Sequence, residues 1–146
     1  MSRPSAIDPL MLRAYAETEY RVHGSSGFTL RVGQASDELR EVHERHGVSC
    51  SAYLTAFNPF SRAVGDDENA SRQTALLAEI ARPGLVALPG TGQHPSNDWP
   101  GEDSVLILGL GLEAAKALGE RFEQNAFVWC GDDGVPELVL LGATGA

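Results

Sequence analysis

The sequence predicts an α+β domain (α/β in the broad sense) in which helices pack on a single mixed β-sheet. Segments with the 3.6-residue period of helices are interleaved with short apolar runs typical of strands. The resulting order, α-β-α-β-α-β-β-α-β-β, lacks the strict alternation of a wholly parallel fold. A length of 146 residues suits one domain.

The first half of the chain carries two helix signals and two strand signals. Asp8 followed by Pro9 is typical of a helix N-terminus, and Ser36 or Asp37 can cap the second helix, which Gly47 ends. One strand alternates apolar and polar residues, whereas the other is mostly apolar and is expected at the centre of the sheet. The helices are predicted at residues 7–20 and 36–47, and the strands at 27–32 and 50–57.

The second half repeats this pattern with more strands. Asn69 is predicted to cap a helix that Pro83-Gly84 terminates. The segment "GDDGVP" has the residues of a hairpin turn between the last two strands. The helices are predicted at residues 69–84 and 111–122, and the strands at 85–88, 104–110, 126–130 and 137–141.

The charge of the chain argues against nucleic acid as a partner. The formal net charge is −9, from 20 acidic and 11 basic side chains, and the basic residues are scattered singly. A phosphate backbone is repelled by such a surface unless a local basic stripe overcomes the repulsion. We therefore expect no nucleic-acid partner.

The hydropathy of the chain predicts a cytoplasmic protein without a membrane partner. No apolar run approaches the ~18 residues of a membrane helix, and the N-terminal stretch lacks the apolar block of a secretory signal. Cys50 and Cys130 lie in apolar, strand-like runs and are expected to be buried, reduced thiols. The sequence does not predict an oligomeric state.

A glycine pattern resembles a dinucleotide-binding fingerprint but is better explained as a tight turn. Gly109-x-Gly111-x-x-Ala114 follows an apolar strand, and Asp132 stands downstream of it. Only a hairpin follows Asp132, whereas a dinucleotide-binding half needs further βα units. We therefore predict no cofactor, and no metal site, since no cluster of ligands has metal-binding spacing.

Polar residues follow the central strand at the point where ligands usually bind, outside its carboxyl end. These are Thr55 and Asn58 in "TAFNPFS". With Asn69 as N-cap, Arg72 would stand at the third helical position, where a cation opposes the helix dipole. Either Arg72 and the free helix amides receive an anion, or one of the acidic residues 66–68 neutralises Arg72 as a surface ion pair. Gln73 is expected to point to the sheet rim.

A long segment, residues 88–104, is predicted to cover the same rim as a loop. Trp99 could stack on a ligand and desolvate Glu102, which would prepare Glu102 as a general acid or base. Alternatively, Trp99 anchors the loop and Glu102 caps a strand end. At the end of the last helix, Asn125 is expected as a left-handed cap and Gln124 could reach the rim.

These motifs together resemble a bacterial domain-of-unknown-function family, number 3293. They are "TAFNPFS", "ENASR", "LPGTG", "WPGEDS" and "ERFEQNA", in that order. Phe57 and Glu123 depart from the resemblance, which would have Trp and Gly there. The implied signature residues are Thr55, Asn58, Pro59, Asn69, Arg72, Trp99, Glu102, Gln124 and Asn125.

We expect one globular domain over residues 1–146. An N-terminal helix would occupy residues 1–19, a family-like core residues 20–141, and a short tail residues 142–146. The family has no assigned activity, so the resemblance supports a site without supplying a reaction.

Two functional hypotheses follow from these residues. In the first, a polar pocket binds, and possibly acts on, an anionic small metabolite that is nucleotide-like or phosphorylated. Arg72 would hold the anion, Glu102 would be the catalytic acid or base, and the other ligand-binding residues would be Thr55, Asn58, Asn69, Gln73, Trp99, Gln124 and Asn125. In the second, the protein is a non-enzymatic regulatory or protein-interaction module, and the same side chains brace its loops. The sequence does not decide whether the protein is an enzyme.

Overall fold

The computed structural model describes residues 9–24, 27–96 and 100–141. Within them, no helix has both the length and the hydropathy needed to cross a membrane. A 3-10 turn at Pro59–Ser61 lies between β3 and α3. The helices and strands, in chain order, are α1 (Pro9–Glu17), β1 (Glu19–Val22), β2 (Phe28–Leu30), α2 (Asp37–Arg45), β3 (Ser51–Leu54), α3 (Asp66–Ala81), β4 (Ala87–Gln93), β5 (Glu102–Leu108), α4 (Leu112–Arg121), β6 (Ala126–Cys130) and β7 (Pro136–Leu140).

These strands form one sheet in the order β2-β1-β4-β5-β3-β6-β7. Each pairing between described neighbours is antiparallel. The α+β class is thus confirmed, but the prediction of a mixed sheet is wrong. Three pairs of consecutive strands are antiparallel neighbours: β1–β2, β4–β5 and β6–β7. The remaining strand, β3, lies between β5 and β6 and runs antiparallel to both.

An additional strand, β1, replaces the end of the predicted first helix. We expected a helix over residues 7–20, but α1 ends at Glu17 and the chain continues extended from Glu19. Tyr20 and Val22 are buried and alternate with more exposed residues, as a strand with one face on the core requires. Pairing with both β2 and β4 stabilises this extended conformation.

Two strands extend into the predicted long loop. β4 runs to Gln93 and β5 begins at Glu102, with Gly92 paired to Glu102. The connection between them is therefore residues 94–101, of which residues 97–99 lie outside the described part. Most of the segment that we expected to cover the rim is instead part of the sheet.

Both faces of the sheet carry an apolar core. On one face, Leu39 and Val42 of α2 pack on the strands, and α1 lies over the other end of this face. On the opposite face, α3 and α4 pack through Leu76, Ile80 and Ala115. The face that α1 and α2 share holds the cavity described below.

The start of α3 differs from the prediction. The helix begins at Asp66, with Gly65 as its N-cap, so Asn69 is not the cap and Arg72 stands in the second turn. Three acidic residues, 66–68, occupy the first turn, where negative charge is favourable against the helix dipole. The sequence rule that placed the cap at Asn69 ignored this acidic turn.

The two thiols are free and lie in different surroundings. Cys130 is buried in the core on the α2 face, and this burial raises the pKa of its thiol to about 12. Cys50 is half-buried, donates to the carbonyl oxygen of Leu110 at 3.5 Å, and also has its pKa raised by burial. Both groups are thereby kept in the unreactive thiol form.

Candidate functional site

A cavity of about 410 Å³ lies between α1 and the face of the sheet that carries Tyr20 and Tyr53. This volume is within the range of small-molecule sites. Its wall is apolar over most of its area and polar at one side. The apolar lining residues are Leu10, Met11, Ala14, Tyr15, Tyr20, Tyr53, Phe57, Ala126, Phe127 and Leu138, with Gly92, and the polar ones are Thr18, Thr55, Asn58, His94, Glu102, Ser104 and Gln124.

A hydrogen-bonded pair, Asn58 and Glu102, forms the polar side. Asn58 Nδ2 donates to Glu102 Oε2 at 2.7 Å. Asn58 Oδ1 accepts from the backbone N–H of Val64 at 3.1 Å and from Asn69 Nδ2 at 3.0 Å. Because the oxygen faces two donors, the amide nitrogen must face the carboxylate. Glu102 is thereby held in a fixed position at the start of β5.

The backbone at Asn58 makes this arrangement possible. Asn58 has φ 49°, in the left-handed region that Asn tolerates better than most residues. Its backbone N–H donates to Asn69 Oδ1 at 2.8 Å and its side-chain Oδ1 accepts from Asn69 Nδ2, so the Asn69 amide bonds both the backbone and the side chain of Asn58. Asn69 therefore serves the strand end instead of capping its own helix.

Two tyrosines form the aromatic part of the wall. The rings of Tyr20 and Tyr53 pack edge to face, with centroids 5.4 Å apart and an interplanar angle of 74°. Each hydroxyl donates to a backbone carbonyl, that of Tyr15 for Tyr20 and that of Arg21 for Tyr53. Burial raises the pKa of both hydroxyls above the usual value, so the wall stays neutral here.

His94 joins the end of α1 to the sheet. Its Nδ1 accepts from the backbone N–H of Ser96 at 3.1 Å, which places the proton of a neutral ring on Nε2. Nε2 lies 3.1 Å from Glu17 Oε1, and this hydrogen bond lowers the pKa of Glu17. The contact fixes the last turn of α1 beside the cavity.

The segment behind the cavity, residues 55–60, is held by side chains of α3 and of the α4 end. Gln73 Oε1 accepts from the Ala56 N–H at 3.0 Å, and Arg72 Nε donates to the Ala56 carbonyl at 2.7 Å. Gln124 Nε2 donates to the Phe57 carbonyl at 3.0 Å. Both backbone groups of Ala56 therefore have side-chain partners.

Arg72 occupies a different place from the one predicted. Besides Ala56, its guanidinium donates to the Phe122 carbonyl and lies 3.3 Å from Glu123 Oε1. We had considered the acidic residues 66–68 as its ionic partners, and the structure places Glu123 there instead. Arg72 does not line the cavity, and it stands one turn beyond the free amides of the helix start. The proposed joint anion site of Arg72 and the helix start is therefore not formed.

Seven of the nine predicted site residues fall into two groups. Four line the cavity: Thr55, Asn58, Glu102 and Gln124. Three more bond the segment behind it without lining it: Asn69, Arg72 and Gln73. Asn125 is also absent from the lining; it is buried, and its Nδ2 donates to Met11 Sδ at 3.7 Å. Trp99 lies outside the described residues, so its stacking role stays a prediction.

The sequence reasoning missed the aromatic wall and the helix that closes it. Tyr53 was assigned to a buried strand, and His94 fell within the predicted loop at residues 88–104. Period-two alternation contained part of the signal, because it places Glu102 and Ser104 on one face of β5 with Leu106. The strand pairing that brings Tyr20 beside Tyr53 had no comparable signal.

The residue that ends α4 in the left-handed conformation is Glu123, with φ 61°, whereas we had predicted Asn125. The Gln124 N–H donates to the Gly119 carbonyl and the Glu123 N–H to the Glu120 carbonyl, which is the Schellman pattern. Glycine is the usual residue at this position because it lacks a Cβ. The Gly that the family resemblance implied at position 123 thus has a physical reason.

Glu123→Gly is expected to raise the free energy of unfolding by about 0.5 kcal/mol. Relief of the left-handed strain (about 1 kcal/mol) exceeds the loss of a half-exposed ion pair with Arg72 (about 0.5 kcal/mol). Glu123→Gln keeps the strain and loses the charge, so it is expected to lower stability by about 0.5 kcal/mol. Urea unfolding of the wild type and the two variants measures their order of stability. A Gly variant that is less stable than the Gln variant contradicts the prediction.

The described residues contain no group of three or more His, Cys, Asp or Glu side chains placed to hold a metal ion. Chemically, the cavity offers one fixed carboxylate, several hydrogen-bonding groups and an aromatic surface. Such a wall can bind and orient an amphipathic small molecule, with the carboxylate as the one strong base or acceptor.

The fold and the cavity define a small α+β domain with a covered pocket on one face of an antiparallel sheet. The chain belongs to the family described as protein of unknown function (DUF3293), whose family model matches residues 54–127. This match is shorter than the resemblance over residues 20–141 suggested. No curated protein and no solved structure matches the chain.

Proposed function

We propose that this protein binds a small organic molecule in the cavity under α1, and that it does so in the cytoplasm. The observation that carries the proposal is the Asn58–Glu102 pair, fixed at the polar side of an aromatic-lined cavity. Small-molecule sites are typically pockets with a mostly apolar, aromatic wall and a few convergent polar groups. The pocket of about 410 Å³ under α1 has this composition, which supports a bound ligand.

The wall favours a neutral or positively charged ligand over the anionic metabolite suggested by the sequence. An anion needs a cation in the wall, and the donors of Arg72 are directed to protein acceptors. Among the described lining residues, His94 is the one that can gain a positive charge, and its Nε2 faces Glu17. Glu102 would repel a phosphate or carboxylate placed beside it.

The second hypothesis, a bracing role, is favoured by the contacts of Asn69, Arg72 and Gln73. Each bonds the backbone of residues 56–58 through its side chain, and none reaches the cavity. Bracing accounts for these three residues but not for the cavity, so it supplements the binding proposal. Catalysis by Glu102 stays a prediction, and loss of turnover in Glu102→Gln with retained ligand affinity would support it.

Filling the cavity tests the proposal. Ala14 of α1 lines the cavity, so Ala14→Phe would place a ring inside it, whereas Ala16→Phe puts the same ring on an exposed position of the same helix. A library of small organic fragments is screened by saturation-transfer difference NMR against all three proteins. We expect fragments that bind the wild type and the Ala16 variant and lose at least about tenfold in affinity with the Ala14 variant, since a filled cavity excludes them.

The proposal fails if no fragment binds the wild type, or if bound fragments are insensitive to Ala14→Phe. Amide spectra of both variants supply the folding control. Because α1 contributes no fully buried residue, we expect both variants to fold.

A further inference from the structure

We propose that the ligand presents a protonated amine or amidine to Glu102, an inference that rests on the proposed binding function and names the chemical class of the ligand. Three features of the wall carry it. They are a carboxylate fixed in position, aromatic rings that can contact a cation, and the balance of charge around the cavity.

The carboxylate of Glu102 lies in the wall of the cavity and is bonded by Asn58. Asn58 Nδ2 donates to one oxygen of Glu102, and Asn58 is itself fixed by Val64 and Asn69. An ionised carboxylate has about four lone-pair positions, so it can accept N–H groups from a ligand as well as from Asn58. Hydrogen bonds from a charged donor to a carboxylate are roughly twice as strong as those between neutral groups.

The aromatic surface is suited to the same cation. Tyr15, Tyr20, Tyr53 and Phe57 all line the cavity. The faces of such rings carry negative electrostatic potential and attract ammonium or amidinium groups. Because the hydroxyls of Tyr20 and Tyr53 donate to backbone carbonyls, these two residues contribute rings rather than hydroxyl donors to the wall.

The charges of the described lining residues disfavour an anionic ligand. Glu102 is the acidic residue among the described lining residues, and Glu17 lies just beyond His94. His94 is the only described lining residue that can become positive, and it is paired with Glu17. The chain as a whole carries a formal charge of −9, which raises the local concentration of cations.

Three probes of one shape test the inference: phenethylamine, 2-phenylethanol and 3-phenylpropanoate. They share a phenyl ring on a short chain and differ in the charge at its end. Dissociation constants are measured from amide chemical shifts of the protein. We expect the amine to bind about tenfold more tightly than the alcohol, and the carboxylate more weakly than both.

Glu102→Gln and Asp103→Asn form a matched pair of variants. Each removes one negative charge from β5, but Asp103 is exposed, does not line the cavity and alternates to the other face of the strand. Gln retains an oxygen that can accept from Asn58. We expect Glu102→Gln to reduce the preference for the amine to within about twofold, and Asp103→Asn to leave the preference unchanged.

The outcomes separate this inference from the proposed function. Equal affinity for the amine and the alcohol, or tightest binding of the carboxylate, overturns the amine inference while small-molecule binding stands. If none of the three probes shifts the amides of cavity residues, the amine inference is overturned too, and the fragment screen with Ala14→Phe decides the proposed function independently. An equal effect of both substitutions overturns the assignment to Glu102.

Discussion

Arg72→Ala is expected to lower the free energy of unfolding by about 3 kcal/mol, and the melting temperature by about 10 °C. The Arg72 side chain is only 19% exposed and joins three places in the chain. It donates to the carbonyls of Ala56 and Phe122 and pairs with Glu123. Its removal leaves part-buried carbonyl oxygens without a charged donor, which costs more than the bond itself contributes. Differential scanning calorimetry and urea unfolding measure the loss.

Arg82→Ala supplies the control for this prediction. Arg82 follows the same helix, but its side chain is 76% exposed and pairs only with Glu79 among the contacts described. Surface pairs of this kind contribute about 0.5 kcal/mol, so little change is expected. Arg72→Lys should lower the free energy of unfolding by an amount between those of Arg72→Ala and Arg82→Ala. Lys keeps the positive charge but lacks the planar guanidinium group that donates to several acceptors at once. An Arg72→Ala protein as stable as the wild type would contradict the bracing role and would favour the alternative, a ligand-binding role for Arg72.

Gly90→Ala is expected to lower the free energy of unfolding by about 3 kcal/mol. Gly90 lies in β4 beside β1, where a Cβ would overlap the carbonyl oxygen of Arg21 and lie 2.7 Å from Tyr53 Oη. The Tyr53 hydroxyl donates to that same carbonyl at 2.7 Å. A methyl group here must therefore separate two strands or displace the Tyr53 ring, which is part of the cavity wall. Urea unfolding measures the cost.

Gly92→Ala, two residues along the same strand, is the matched control. Its Cβ would meet its nearest neighbours at 3.9 Å, which is ordinary van der Waals contact. Because Ala is otherwise preferred over Gly in a strand, stability should be unchanged or slightly raised. Equal losses in the two variants would show that neither glycine position tolerates a Cβ, and would refute the specific contact of Gly90 with Arg21 and Tyr53.

Local signals in the sequence predicted the elements well and their arrangement less well. Ser36 caps α2 as expected, with the Leu39 N–H donating to its hydroxyl at 3.1 Å. The last hairpin and the terminator after α3 also follow from nearby residues. The direction of each strand, and the pairing of β1 with β4, depend on contacts between distant segments, so no local pattern could supply them.

In the candidate site, too, features that depend on nearby residues were predicted and features that depend on distant contacts were not. Asn58 was found because it follows an apolar strand, and Glu102 because it stands near Trp99 in an unusually long segment. The bond between them spans 44 positions in the sequence, so no local pattern predicted it. Arg72 was misplaced because its role depends on where α3 begins and on the fold of the α4 end. The tyrosine wall was missed because Tyr20 was assigned to a helix, whereas strand pairing puts it in β1.

The cavity is formed by residues inside and outside the segment that the family model matches. Residues 54–127, the matched segment, supply Asn58, Glu102 and Gln124, whereas α1 and β1 precede that segment. Replacing α1 by a helix of different sequence is therefore a route to altered ligand selectivity. The new helix would change the part of the cavity wall that α1 forms and leave the hydrogen-bonded residues Asn58, Glu102 and Gln124 in place.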